Sequence, residues 1–423
     1  MTRKLALLGG EKTRDKPFPP YPIIGEQEKR EVMEVLDSGK LSTFIARAGE
    51  HFLGGKKIKQ LENDLAAYYG VKYAVACNSA TAALHAAVVA CRVQPGDEVI
   101  VPPYTFTSTA TCALMHNAIP VFVDVKPDTF CLDPEKLEAA ITPRTRAIIP
   151  VHLFGHPADM DEIMALARKH RLVVIEDSAQ ASGGTYKGRL MGTIGDCGIF
   201  SFQEGKNMST GEGGVLITSD PEIAEVSRMV RNHGESIYET ATVRTYRTDI
   251  LGWGYRMTEM EAALGIAQLK RLDEFNARRI ELATYLSEKL AVIDGLTPAI
   301  AYPYVKHVYY VLAIKYDESK TGLPRDSFVR ALGAEGIPFG AGYQMPLYLN
   351  PIYQERKPFV YRYFGAHVSY AKGICPVTER LYEKELMWTA VCRPMATKAD
   401  MDDVVKGVEK VMDNRAALLK SGL

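Results

Sequence analysis

The 423 residues contain no Cys-x-x-Cys pair, and the seven cysteines, Cys77, Cys91, Cys112, Cys131, Cys197, Cys375 and Cys392, are odd in number and scattered. That pattern argues against a disulfide framework and a zinc knuckle, and it fits a reduced, cytoplasmic setting. Net charge is lacking too: 51 basic residues balance 51 acidic ones, so no bulk field draws the chain to nucleic acid or to an anionic membrane. No long uninterrupted apolar run is present. The longest apolar-looking stretch, 75–93, is broken by Asn78, Ser79, Thr81, His85 and Arg92 and reads as a packed helix rather than a membrane span. At the amino terminus the apolar run is too short for a secretory signal and proline-rich sequence follows, so these residues are expected to belong to the mature chain.

Several catalytic signatures are missing as well. No G-x-G-x-x-G follows the first predicted strand, and no G-x-S-x-G forms a nucleophile elbow. His152 and His156 flank a strand end and turn with no H-E-x-x-H. A dinucleotide fold, Ser-His-Asp hydrolysis and a helix-borne zinc site each lose their local sign. Internal repeats, low-complexity tracts and long like-charge blocks are also absent.

What remains is an ordinary globular composition, 47% hydrophobic and 24% charged, in a chain long enough for two domains. Short β-rich runs at 73–77, 98–102, 120–125, 147–152, 172–176, 198–202 and 215–218 alternate with helical sequence such as 80–91 and 160–171. That order predicts a doubly wound α/β domain. An amphipathic helix over 26–38, ended by Gly39, and a polar, glycine-rich loop at 41–55 precede it. A long helix over 258–290, a strand at 308–315 and helices at 325–335 and 398–414 follow. We expect a large domain over 1–270, then a connecting helix and a smaller α+β domain over 271–423.

The chemistry-bearing residues lie at predicted strand ends. Lys206 follows the strand at 198–202 among small residues that let backbone approach a ligand. A lysine there is ordinarily a solvated loop residue; Asp177 changes the reading, because it ends a β-branched apolar strand where open parallel sheets place their ligands. A Schiff-base amine and an acid against a pyridinium nitrogen are the two groups that pyridoxal phosphate needs. Asn78-Ser79-Ala80-Thr81 joins a strand to a helix, whose free N–H groups and dipole suit a phosphate, and Ser201 offers a hydroxyl from another strand end. Phe106 offers an aromatic face, and Gln180, three residues past Asp177, an amide. Singly, these four signals also fit a helix cap, a turn hydroxyl, a core ring and loop polarity.

Together the blocks Gly96-Asp97-Glu98-Val99-Ile100-Val101-Pro102, Pro150-Val151-His152-Leu153-Phe154-Gly155, Ala158-Asp159-Met160-Asp161, Glu176-Asp177-Ser178-Ala179-Gln180 and the run from Ser201 to Gly214 carry a resemblance. Over nearly its whole length the chain resembles the DegT/StrS-type sugar and cyclitol aminotransferases. These are fold type I pyridoxal phosphate enzymes with an architecture like that of aspartate aminotransferase. The resemblance implies that Lys206 carries the cofactor, Asp177 meets its pyridinium nitrogen, Phe106 stacks on its ring, Gln180 contacts its phenolic oxygen, and Ala80, Thr81 and Ser201 hold its phosphate. It also implies a homodimer with active sites near the subunit interface. Lys206 argues against the related dehydratases, in which histidine replaces it. Ser201-Phe202-Gln203 resembles the branch acting on keto cyclitols such as inososes, with glutamine as the preferred donor and glutamate the second; a nucleotide-linked keto sugar is the alternative acceptor. A cofactor-binding regulator without turnover is the reading from another class. One departure stands out: a family segment of Gly-x-Asn-x-Arg, which reaches the neighbouring subunit's phosphate, is here Gly252-Trp253-Gly254-Tyr255-Arg256. Either backbone replaces that amide or the contact is missing. Tyr343, His307 and Arg393 are polar candidates for acceptor binding, with no motif behind them.

Overall fold

The computed structural model describes residues 4–44, 51–236 and 247–422, so residues 45–50 of the predicted polar loop lie outside the described residues. In chain order the first part contains α1 (Glu26–Ser38), α2 (Lys56–Tyr69), β1 (Tyr73–Cys77), α3 (Ala80–Ala90), β2 (Glu98–Val101), α4 (Ser108–Met115) and β3 (Ile119–Phe122). It continues through α5 (Pro134–Leu137), β4 (Thr145–Ile148), α6 (Met160–His170), β5 (Val173–Asp177), the short strands β6 (Thr185–Tyr186) and β7 (Arg189–Leu190), β8 (Cys197–Ser201), β9 (Gly214–Thr218) and α7 (Pro221–Arg231).

Seven of these strands form one sheet in the order β1-β9-β8-β5-β4-β2-β3. Only β9 runs against its neighbours; the other pairings are parallel. The carboxyl ends of β1, β2, β5 and β8 therefore share one edge, and the amino end of β9 meets them there. Side chains alternate as the pleat requires. Val75, Ile175 and Ile199 enter a core with α3, while Ala74, Phe200 and Val215 enter another with α2.

Helix α8 (Glu259–Leu290) begins with a reciprocal cap, the Thr258 hydroxyl accepting from Glu261 N–H while the Glu261 carboxylate accepts from Thr258 N–H. Its early turns, through Ile266 and Leu272, wall the α2 core; its later turns, through Leu282, Leu286 and Leu290, wall a second one. That second core lies under a four-stranded antiparallel sheet ordered β10 (Leu296–Pro298), β12 (Leu312–Tyr316), β14 (Leu386–Thr389) and β13 (Gly340–Ala341). Helices Arg325–Ala334 and Lys398–Asp413 cover it, and Leu5 from the amino-terminal segment is buried in it. The expected division at residue 270 falls inside α8.

The predicted strand at 308–315 is shorter than expected. Between β11 (Val305–Lys306), which pairs with β6, and β12, the chain crosses the first part of the fold: Val308 N–H donates to Gly155 and Tyr310 N–H to Phe154. A Cβ on Gly155 would stand 3.0 Å from Tyr309 N, so only glycine lets this crossing come so near.

Candidate active site

Asp177 closes β5 with both of its backbone groups paired to the segment after β4, donating to Pro150 and accepting from His152. Its carboxylate is buried. Oδ2 accepts from the Thr109 hydroxyl at 2.7 Å, and Oδ1 from Ala179 N–H at 3.2 Å. Thr105 stands behind Thr109, with their hydroxyls 3.2 Å apart, one turn away in the α4 approach. Burial raises the Asp177 pKa, opposed by these two bonds and by the positive charge of Lys206. A buried carboxylate so placed favours a cationic N–H as partner.

The neighbouring Glu176 is a fixed structural group. It accepts backbone N–H from Gly192, Ile194 and Gly195, and His152 Nε2 lies 3.0 Å from its Oε2. Because His152 Nδ1 accepts from Ala158 N–H, its proton sits on Nε2 and is donated to Glu176. His152 thus braces the strand end and does not enter the cleft. Among the described residues no group of three His, Cys, Asp or Glu side chains is placed to hold a metal ion.

Lys206 lies in the loop joining the antiparallel pair β8 and β9. The loop is pinned by Lys206 N–H to Gln203 O, by Asn207 Nδ2 to Asn276 Oδ1 on α8 and Val308 O, and by the Tyr21 hydroxyl donating to Lys206 O. The lysine Nζ sits 4.2 Å from the centroid of the Tyr310 ring. Burial of the amine pushes its pKa down to about 8, against the pull of Asp177. The neutral, nucleophilic amine therefore predominates above about pH 8 and the ammonium below it. Capture of added pyridoxal phosphate, followed by absorbance, should rise through pH 8 and level off above it; a rise still climbing near pH 10 would mean an ordinary solvated lysine.

The phosphate side is built where β1 turns into α3. The Ser79 hydroxyl caps the helix by accepting from Ala82 N–H, and Ala80 and Thr81 open its first turn, whose N–H groups have no intrahelical acceptor. Gly214, paired with Ser201 in the sheet, lies against this turn so closely that a Cβ there would come within 2.4 Å of Ala80 N. Ser201 is thereby carried to the same end of α3. Small backbone, free donors, a hydroxyl and a helix amino end fit a phosphate group, and Asp177 and Lys206 fit the ring that bears it.

The remaining predicted residues surround this edge. Phe106 is 53% exposed just before α4, a large apolar ring left uncovered. Gln180 accepts from Phe154 N–H through Oε1 and donates to the Tyr343 hydroxyl at 3.1 Å, joining β5 to the smaller sheet region. His307 is buried in a ring stack, 3.8 Å from Tyr309 and 5.3 Å from His156, and does not face the cleft. All seven cysteines are buried and free. The Arg393 and Arg279 guanidinium groups stand over the Tyr21 ring, 5.2 and 4.8 Å from its centroid. Sequence reasoning missed Thr109, Tyr310, Tyr21 and Arg279. The repeated hydroxyls of Thr105 and Thr109 at helical spacing were a signal for the first; the others come from distant segments and had none.

A buried amine and a buried acid that feel each other's charge, beside a helix-end phosphate seat, fit the groups that pyridoxal phosphate needs. The chain belongs to the DegT/DnrJ/EryC1/StrS aminotransferase family, which it matches over residues 22–409. A putative L-glutamine:3-amino-2,3-dideoxy-scyllo-inosose aminotransferase of Streptoalloteichus tenebrarius is 36% identical over 427 residues, covering 99% of this chain and all of that one. GDP-perosamine synthase of Caulobacter vibrioides is 40% identical over 336 residues, 78% of this chain and 85% of the relative. Among solved structures, an aminotransferase from Psychrobacter cryohalolentis superposes with a TM-score of 0.84 at 33% identity, covering 94% of this chain and 99% of its own. Among the described residues no helix is long and apolar enough to cross a membrane.

Proposed function

We propose that this enzyme moves an amino group from an amino acid, glutamine first and glutamate second, to a keto cyclitol such as an inosose. The observation that carries the reaction is the Lys206 amine, held over Tyr310 with its pKa pushed down to about 8 by burial and electrostatically coupled to Asp177. When bound, pyridoxal phosphate supplies a ring that accepts the electron pair left as the donor loses its Cα proton. Lys206 would take up that proton and return it across the nitrogen being transferred, so that the donor carbon is left oxidised and the nitrogen stays behind. Asp177, kept in place by Thr109, would keep the ring nitrogen protonated. Ala80, Thr81 and Ser201 would hold the phosphate, and Phe106 and Gln180 would hold the ring.

For the acceptor, support comes from Gln203 and from the inosose-named relative. Gln203 is exposed, and its Oε1 is occupied by Gly205 N–H at 2.9 Å, which leaves its NH₂ as a donor for a ring hydroxyl. The 40% identity to GDP-perosamine synthase favours a second reading, a nucleotide-linked keto sugar. Turnover of scyllo-inosose and of a keto-sugar nucleotide, measured side by side with glutamine as donor, separates the two; product from the nucleotide sugar alone rejects the cyclitol.

The working unit in this reading is a cytoplasmic homodimer. Gly254 then faces the question of the missing amide. Among the described residues a Cβ there meets only His233 Cε1, at 3.6 Å, so a side chain has room. Gly254→Asn is expected to melt like the parent and to hold pyridoxal phosphate about tenfold more tightly through one added charge-assisted bond. Equilibrium dialysis reads the difference; unchanged retention would mean that backbone already fills the role.

A further inference from the structure

The buried Gln180 amide is held by two groups far from it in the chain. Its Oε1 accepts from Phe154 N–H at 2.8 Å, which settles the orientation of the amide: the oxygen is occupied, and the NH₂ has two protons to place. One goes to the Tyr343 hydroxyl oxygen, 3.1 Å away; the other has no acceptor among the described residues. Phe154 is itself constrained. It is buried at φ 59° and ψ 5°, left-handed backbone that a bulky residue keeps only where its surroundings impose it, and its carbonyl accepts from Tyr310 N–H. Tyr310 is the ring beneath the Lys206 amine. Tyr343 follows β13 and meets Phe154 edge to face, with ring centroids 5.0 Å apart, and Trp388 of β14 in the same way at 6.1 Å. Burial raises the Tyr343 pKa, Tyr310 and the charge of Asp177 add to the rise, and the Gln180 bond opposes it. The phenol is therefore a neutral acceptor standing between the two residues that flank the candidate ring site.

A glutamine side chain has three torsions to freeze, and a donor that turns freely loses on ordering much of what its bond gains. With Oε1 on Phe154 and one proton on Tyr343, the plane of the Gln180 amide is set before any ligand arrives, and one donor is left over. We infer that Tyr343 is a positioning residue, which takes one Gln180 proton and so aims the other at the phenolic oxygen of pyridoxal phosphate. The inference deepens the proposed reaction and rests on the contact of Gln180 with that ring. A donor on the phenolic oxygen draws charge from it and loosens the proton that this oxygen shares with the nitrogen linked to Lys206. Loss of the donor then raises the pH at which the absorbance band of the bound cofactor changes. A ring that merely fills space between β13 and Phe154 would have no such effect through its hydroxyl.

Spectrophotometric pH titration of the cofactor-loaded enzyme, with no substrate present, reads that midpoint, and equilibrium dialysis of pyridoxal phosphate reads its retention. Gln180→Leu, which removes the amide, should raise the midpoint by about one pH unit, the scale of one hydrogen bond to a charged group. Tyr343→Phe removes a single oxygen and keeps the ring against Phe154 and Trp388. It should raise the midpoint by about half as much and weaken retention about threefold, with the melting temperature unchanged. The double variant should titrate like Gln180→Leu alone, because the tyrosine acts through the amide. A Tyr343→Phe enzyme that titrates like the parent, while Gln180→Leu shifts, overturns the proposal and leaves the ring contact standing. A double variant whose shift is the sum of the two single ones does the same. A midpoint that Gln180→Leu leaves in place refutes the contact of Gln180 with the ring, and the proposal with it. Should Gln180→Leu fail to fold, Gln180→Glu replaces it, since it keeps an acceptor for Phe154 N–H and carries no amide proton.

Discussion

Replacing Lys206 by alanine is expected to abolish amino transfer, with turnover falling by at least about a thousandfold, as loss of a positioned acid and base requires. The same substitution should remove the absorbance band of covalently held pyridoxal phosphate and its shift on adding glutamine. The effect is large because the amine is fixed in place: Nζ stands over Tyr310 in a loop tied to α8, to the crossing at Val308 and to Tyr21. Those ties are made by Asn207 and by backbone, so alanine leaves the loop's anchors intact, and the melting temperature should hardly move. A Lys206→Ala enzyme that still turns over at the parental rate would end the assignment.

The second large effect is expected at Asp177. Asparagine keeps the size: its one amide oxygen can accept from Ala179 N–H while its NH₂ donates to the Thr109 hydroxyl, so Asp177→Asn removes the charge and reverses a single bond. Turnover should fall by about a hundred- to a thousandfold, the scale of a lost electrostatic stabiliser in a water-poor site, while KM for the donor changes little. Thr109→Val, which removes one bond to Oδ2 and leaves the charge, should cost about tenfold. Steady-state kinetics of the two variants orders them. If Asp177→Asn runs within twofold of the parent, the acid does not hold the ring proton.

The pair proposed to carry the reaction was legible because each member is set by local chemistry. Asp177 terminates a run of β-branched residues, and Lys206 follows an apolar strand among small ones; the sheet then brings parallel strand ends to one edge. Strand β1 and helix α1 lie where their periodicity placed them, at Tyr73–Cys77 and Glu26–Ser38. Helix α2 was overlooked although Ile58, Leu61, Leu65 and Tyr69 mark a buried face at helical spacing. Helix α4 had weaker grounds, since its threonines and serine favour turns and the fold overrides them. The predicted strand at 308–315 reads as one apolar run, yet its first residues bond to Phe154 and Gly155, partners some 150 positions away. Arg279, Arg393, Tyr21 and Tyr310 meet only through such long-range packing, so no window of sequence contains their arrangement.

Helix α8, 32 residues long, is a wall of two hydrophobic cores, the one with α2 and the one under the four-stranded sheet. Melting either core would strip one half of this helix of its burial, and a helix gains most of its stability from packing. The two halves of the chain are thus coupled in unfolding: heat should take them through one cooperative transition, and neither should persist as an independently folded fragment. Asn276 and Arg279 sit near the middle of that shared element, so the catalytic cleft is tied to the part of the molecule whose loss undoes both sides at once.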